Sequence, residues 1–192
     1  ELGEYQKAIG CYEKAIQINP NHASVHNNLG NALKELGEHK KAISSYQKAI
    51  QLNPNHASAH SNLGLVFDEL GEREKAKNSY QKAIQIDPNY SDAYWNLHSL
   101  TSNIDEALKI LKKSYRADNK FLKAKIMISA LQGFKGKFND FDALIASPEA
   151  NHPYTRSIKW VFSLPQLPKI FFNSWDFYDA VVALTDKSRP FY

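Results

Sequence analysis

The sequence is poor in cysteine, methionine and long apolar runs. Its 192 residues include a single cysteine, Cys11, which excludes an internal disulfide and therefore a disulfide-stapled secreted fold. No apolar run approaches the roughly 18 residues that span a membrane, so we expect no membrane segment and no membrane partner. Basic residues exceed acidic ones by 24 to 20 without forming a block, which argues against a nucleic-acid binder. The single thiol fits a reducing compartment, and we expect the protein to be cytoplasmic.

Motifs for catalysis, cofactors and metals are also missing. The chain has no HExxH, CxxC, GxSxG or phosphate-loop pattern, and the segment 133–136 is too short for a glycine-rich nucleotide loop. His22 and His26 have the i, i+4 spacing of a two-histidine metal site, and the same pair recurs at His56 and His60. No acidic or thiol third ligand recurs with either pair. We therefore expect no cofactor, no metal and no enzymatic activity from this chain.

A repeat of 34 residues organises the first part of the chain. Residues 23–56 and 57–90 are identical at 21 of 34 positions, and residues 2–22 match residues 36–56 at 15 of 21 positions. A fixed period of this length is typical of stacked repeats. It predicts a repeat array over 1–120, divided into a half repeat at 1–22, full repeats at 23–56 and 57–90, and a shortened repeat at 91–120.

Each repeat predicts two short helices. In the first, at 24–36, apolar residues recur at the three-and-four spacing of one helical face until a glycine ends the helix. In the second, at 40–52, a similar stripe continues until Pro54 stops it. Gly30 and Ala42 are small enough to let the two helices approach closely. Because one helix pair cannot bury its apolar face alone, we expect an all-α solenoid of stacked helix hairpins.

These residues resemble the tetratricopeptide repeat family. The resemblance covers residues 1–90 and rests on Asn28-Leu29-Gly30, Leu36-Gly37, Ala42, Tyr46, Ala49 and Pro54, and on their copies one period later. It implies a right-handed superhelical solenoid of antiparallel helix hairpins whose first helices line a concave groove. Where the family often has a large aromatic residue, this chain has His26 and His60. The family generally uses its groove to bind a partner protein or an extended peptide.

Asparagine recurs on the first helix of each repeat. Asn28, Asn62 and Asn96 are 34 residues apart and predict a ladder that resembles the one in the repeats of O-linked N-acetylglucosamine transferases. Each carboxamide both donates and accepts hydrogen bonds, so it can pair with a peptide backbone of any sequence. Alternatively, the asparagines bond to neighbouring helices or water, and Asn27 and Asn31 either widen the groove or are solvated. A clamp for a C-terminal carboxylate is not supported, because lysine and arginine do not recur at groove positions.

The C-terminal part of the sequence changes character. After residue 120 it holds 14 of its 23 aromatic residues. Residues 121–147 predict a degenerate helix pair, and residues 148–192 predict an aromatic-rich helical C-terminal cap or the start of a truncated further domain. The segments 175–179 and 186–192 resemble the region ahead of the first cofactor-binding strand in S-adenosylmethionine-dependent methyltransferases fused behind tetratricopeptide repeats. This resemblance implies an alternative function, the recruitment region of a larger methyltransferase truncated at Tyr192.

The sequence as a whole predicts a non-catalytic scaffold that binds a protein or peptide in a groove. It also indicates a second interaction at the N-terminal end. There the helix around 5–18 has an apolar face without a partner from its own repeat, formed by Ala8, Ile9, Tyr12 and Ile16. We therefore expect homo-oligomerisation through this open end.

Overall fold

The structure, a computed structural model, describes residues 2–101, 103–118 and 122–134. Across these ranges the chain is all-α, without a strand, as the sequence predicts. The eight helices of these ranges are α1 (Leu2–Ile18), α2 (Ala23–Glu35), α3 (His39–Leu52), α4 (Ala57–Glu69), α5 (Arg73–Ile86), α6 (Ser91–His98), α7 (Ile104–Ala117) and α8 (Leu122–Phe134). None of them combines the length and the apolar character that crossing a membrane requires. The chain divides into two compact units, residues 1–100 and 101–192.

In the first unit, six helices pack as a solenoid of repeated helix pairs. Each helix contacts its neighbours in the chain. Among the first helices of the repeats, α4 also contacts both α2 and α6. One hydrophobic core joins three consecutive helices and contains Leu33, Ala42, Tyr46, Leu63 and Val66. Because this core is shared between two repeats, stacking removes apolar surface from water that a single pair would expose.

A glycine in the left-handed conformation ends each of the two longer first helices. Gly37 has φ of +73° and Gly71 has φ of +74°. The Gly37 N–H donates to the Lys34 carbonyl at 2.8 Å, and the Glu38 N–H donates to the Leu33 carbonyl at 2.9 Å. This Schellman arrangement satisfies carbonyls that the end of a helix leaves open. A side chain at Gly37 is disfavoured by about 1 kcal/mol at this φ, which explains why glycine recurs here.

The histidines at the fourth position of the repeats tie each first helix to the turn before it. The Nε2 of His26 donates to the Pro20 carbonyl at 2.9 Å, and the Nε2 of His60 donates to the Pro54 carbonyl at 3.1 Å. Histidine at this position thus bonds to the preceding turn, where the family resemblance leads us to expect an aromatic residue. These hydrogen bonds also engage one ring nitrogen of each histidine with the backbone.

The glycines inside the first helices make room for an aromatic ring. A Cβ on Gly30 would lie 2.6 Å from Cε1 of Tyr46, and a Cβ on Gly64 would lie 2.8 Å from Cδ1 of Tyr80. Both tyrosine residues are fully buried. The prediction of close approach is thereby refined, because the atoms nearest to the missing Cβ belong to the tyrosine ring of the second helix rather than to its backbone.

Helix α6, the first helix of the shortened repeat, departs from this pattern. Helix α6 has 8 residues, whereas α2 and α4 have 13 each. His98 stands where the earlier repeats have glycine, and it is 1% exposed. Its Nδ1 donates to the Trp95 carbonyl, and the two rings are tilted against each other with centroids 4.6 Å apart. A buried imidazole thus replaces the glycine–tyrosine contact at this position.

In the second unit, α7 packs against α8. Helix α7 begins after Asn103, whose side-chain oxygen accepts the N–H of Asp105 at 2.7 Å. Buried residues on α8 include Ile126 and Leu131. Other predictions lie outside the described residues: the second helix of the degenerate pair at 121–147, the aromatic-rich cap at 148–192, and the methyltransferase-like segments within it.

Replacing Gly30 by alanine should destabilise the protein, because the new Cβ would overlap the buried Tyr46 ring. We expect the free energy of unfolding to fall by about 1–3 kcal/mol, the usual cost of overpacking. Gly10→Ala is the matched control, since a Cβ at Gly10 in α1 meets nothing within 4 Å. That variant should be neutral or stabilise by up to about 1 kcal/mol. Urea unfolding checks both, and equal stabilities of the two variants would contradict the packing account.

Candidate functional site

Asparagine side chains from two repeats meet where α2 and α4 run side by side. The Nδ2 of Asn62 donates to Oδ1 of Asn27 at 3.0 Å and to Oδ1 of Asn31 at 2.9 Å. An amide nitrogen has two protons, so both donors of Asn62 are used. The reverse orientation of this carboxamide would turn its oxygen towards two other carbonyl oxygens. Asn62 therefore ties α4 to α2 with its amide orientation fixed.

Two further hydrogen bonds extend this contact. The Nδ2 of Asn27 donates to Oδ1 of Asn28 at 3.3 Å, and the Tyr46 hydroxyl donates to Oδ1 of Asn31 at 2.8 Å. Burial, reinforced by the charges of nearby glutamates, raises the pKa of Tyr46, so the phenol keeps the proton that it donates. We call Asn27, Asn28, Asn31 and Asn62 the asparagine network. It joins α2, α3 and α4.

The members of the network differ in exposure. Asn28 is exposed, Asn31 and Asn62 are half-buried, and Asn27 is only 6% exposed. The interpretation of Asn27 as a solvated side chain is therefore wrong. Within the described part of the chain, the network leaves three atoms without a hydrogen-bond partner, the Nδ2 of Asn28, the Nδ2 of Asn31 and the Oδ1 of Asn62. Two are donors and one is an acceptor.

The third asparagine of the predicted ladder lies outside the network. Asn96 on α6 is half-buried, and its carboxamide bonds to no other residue that the structure describes. Helix α6 packs beside α4, and on α4 the positions that match Asn27 and Asn31 are Ser61 and Leu65. Leucine offers no acceptor, and the buried Ser61 makes no hydrogen bond to Asn96 within the described residues. The ladder is therefore fixed at Asn62 and unsupported at Asn96.

A small group of charges lies further along the same pair of helices. The Lys34 Nζ is 2.7 Å from Glu35 and 4.0 Å from Glu69, and the His39 Nδ1 is 3.5 Å from Glu69. Burial raises the pKa of Glu69, while Lys34 and His39 oppose the shift. The single cation of α2 is thus occupied by two carboxylates.

The histidine pairs form no larger group with other ligand residues. Among the residues that the structure describes, no cluster of three or more His, Cys, Asp or Glu side chains is arranged to hold a metal ion. His26 and His60 instead use their Nε2 atoms on the proline carbonyls described above.

Sequence reasoning missed the role of Tyr46 and the contact of Asn31 with Asn62. A signal for it exists in the repeats themselves. Asn27 and Asn31 do not recur one period later, whereas Asn28 recurs as Asn62. Non-repeated polar residues beside a repeated one indicate a contact specific to one pair of repeats.

Family comparisons match the first part of the chain. A family described as TPR repeat matches residues 1–37 and 30–71, and a family described as tetratricopeptide repeat matches residues 57–90. Together these matches cover residues 1–90, the part of the chain that holds the sequence repeat. The repeat array therefore has the fold of a protein-interaction scaffold. The comparison with curated proteins gave no match.

Several solved structures share the fold of the repeat array. A crystal structure of MamA is 26% identical, covers 72% of this chain and 82% of its own, and has a TM-score of 0.60. MamA from Desulfovibrio magneticus RS-1 is 17% identical over 78% of this chain and 89% of its own, with a TM-score of 0.63. YrrB, described as a TPR protein with an unusual peptide-binding site, is 19% identical over 90% of this chain and 91% of its own, with a TM-score of 0.62.

Replacing Asn62 by aspartate should destabilise the repeat array, because a carboxylate oxygen would face the carbonyl oxygens of Asn27 and Asn31 without a proton to donate. We expect the free energy of unfolding to fall by about 1–3 kcal/mol. Asn96→Asp makes the same chemical change on α6, where the carboxamide has no partner in the described residues, and should change stability by less than about 0.5 kcal/mol. Urea unfolding of both variants measures the difference. Equal effects would show that the network does not hold α4 to α2.

Proposed function

We propose that the chain is a non-catalytic binding module that holds an extended peptide segment along the first-helix face, the surface of α2, α4 and α6 that carries Asn28, Asn62 and Asn96. The observation that carries this proposal is the asparagine network. It leaves a donor on Asn28 and an acceptor on Asn62, and both belong to the same short stretch of the face.

This pair suits the backbone of a peptide. An extended chain presents N–H and C=O groups in alternation, so it can donate to Oδ1 of Asn62 and accept from Nδ2 of Asn28. The orientation of Asn62 is set before a ligand arrives, which reduces the entropy lost on binding. Asn27 and Asn31 act as positioning residues in this proposal, because they hold Asn62 rather than the ligand.

Asn96 contributes differently. Its carboxamide has no partner among the described residues, so it can offer its donors and its acceptor to a ligand. It must, however, be ordered when the ligand binds. We therefore assign Asn96 to ligand contact without a part in the stability of the array.

Selection of peptides on the whole chain tests the proposal. Random dodecapeptides displayed on phage are selected on this protein, and the enriched peptides are then synthesised with a fluorescent label. Replacing Asn28, Asn62 and Asn96 together by alanine should weaken their binding by roughly tenfold or more, because several hydrogen bonds are lost. Asn96→Ala alone should weaken it by about fivefold at unchanged stability.

Asn78→Ala is the matched control for this experiment. It makes the same substitution at an exposed position of α5, away from the first-helix face, and should leave affinity unchanged. Fluorescence anisotropy measures each affinity. Enriched peptides that bind the triple alanine variant as tightly as the parent chain would rule out the asparagine mechanism.

The incomplete burial of α1 favours a second interaction. The buried residues Ala42, Tyr46 and Ala49 on α3 correspond to Ala8, Tyr12 and Ala15 on α1, but those three are only half-buried. We infer that a second copy of the chain covers this face of α1, because an exposed apolar face that is buried in each other repeat favours association.

Ala8→Glu should shift this association towards the monomer, because a carboxylate would enter the apolar face of α1. Gln6→Glu adds the same charge at an exposed position of α1 and serves as the control. Sedimentation velocity over a range of concentrations gives the mass of each variant. A parent chain that stays monomeric at the highest concentration would disprove association through α1.

A further inference from the structure

Charge is segregated between the two kinds of helix in the repeat array. The first helices α2, α4 and α6 carry one basic and four acidic residues, a net charge of −3: Lys34, Glu35, Asp68, Glu69 and Asp92. The second helices α3 and α5 carry seven basic residues and one acidic residue, a net charge of +6: Lys40, Lys41, Lys48, Arg73, Glu74, Lys75, Lys77 and Lys82. The first-helix face is thus negative although the whole chain carries a net charge of +4.

Two histidines of the first helices, His60 and His98, have a lowered pKa and therefore add no positive charge at neutral pH. Burial lowers the pKa of His98 to about 4, against a smaller upward effect of its bond to the Trp95 carbonyl. Burial also lowers the pKa of His60. Lys34 is paired with Glu35 and Glu69 and is already counted in the net charge of −3. The first helices therefore remain negative, and Asp92 makes no ion pair within the described residues.

The face gains apolar residues in the later repeats. At the position of Asn27 these repeats have Ser61 and Trp95, and at the position of Asn31 they have Leu65 and Ser99. Leu65 and Trp95 are both half-buried. Asp92 is exposed and lies one helical turn before Trp95 on the same side of α6. An indole ring beside a carboxylate suits a lysine or arginine side chain, whose apolar stem covers the ring while its charge meets the carboxylate.

We propose that the ligand of the first-helix face is an extended segment rich in lysine or arginine, with its backbone on the asparagines and a basic side chain at Trp95 and Asp92. This inference rests on the proposed function and adds the chemical class of the partner. The net charge of the chain has the opposite sign to the face, so non-specific attraction to the whole protein would select acidic peptides instead.

The test uses the dodecapeptides selected on phage, because their sequences report what the face prefers. We expect lysine and arginine to be enriched relative to the unselected library, in peptides whose binding depends on Asn28, Asn62 and Asn96. For a labelled peptide from this set, Asp92→Asn should weaken binding by about two- to fivefold, the range for an exposed ion pair. Glu74→Gln removes the same charge from α5 and should leave the affinity unchanged.

Each other outcome overturns the inference. Peptides that depend on the asparagines but are neutral or acidic would disprove the basic ligand and leave the proposed function intact. An equal loss for Asp92→Asn and Glu74→Gln would show that the charge of the whole chain, not the face, decides affinity. A selection that yields no asparagine-dependent peptide would contradict both the inference and the proposed function.

Discussion

The contact between a tyrosine ring and a glycine sets the distance between the two helices of a repeat. A Cβ on Gly30 would lie 2.6 Å from Tyr46, so the ring fits only because glycine has none. At this separation the Tyr46 hydroxyl donates a hydrogen bond to Oδ1 of Asn31, which also accepts a hydrogen bond from Asn62. A steric constraint inside one repeat thereby leads to the polar arrangement between two repeats. The packing of the core and the chemistry of the surface are parts of one structure.

The sequence predicts much of this fold and less of the site. The period and the glycine and proline positions define the helices, because these features act through local backbone preferences. The asparagine network joins residues that lie 31 and 35 positions apart, and two of its members, Asn27 and Asn31, are not repeated. A ladder derived from the repeated asparagines alone therefore treats Asn28, Asn62 and Asn96 as equivalent. The structure shows that these three asparagines differ, since only Asn62 uses both of its amide N–H groups in hydrogen bonds to other residues.

Substitutions between repeats explain that difference in physical terms. At the position of Asn31 the next repeat has Leu65, whose side chain cannot accept a hydrogen bond from an asparagine. Where the first two repeats have glycine, the third has His98, a buried imidazole bonded to the Trp95 carbonyl. One end of the first-helix face is consequently hydrogen-bonded through the asparagine network, and the opposite end combines the Trp95 ring with the Asp92 carboxylate. In the proposed complex this difference would orient the peptide, because its backbone and its basic side chain would bind at different places.

The most direct measurement is nuclear magnetic resonance of the asparagine side-chain amides while a selected peptide is added. Asn28 and Asn96 have amide protons available to a ligand, and we expect their signals to shift as the peptide binds. The signal of Asn78, which is exposed on α5, should stay in place. A shift at Asn78 without shifts at Asn28 and Asn96 would contradict the account, because it would place the ligand on the second helices.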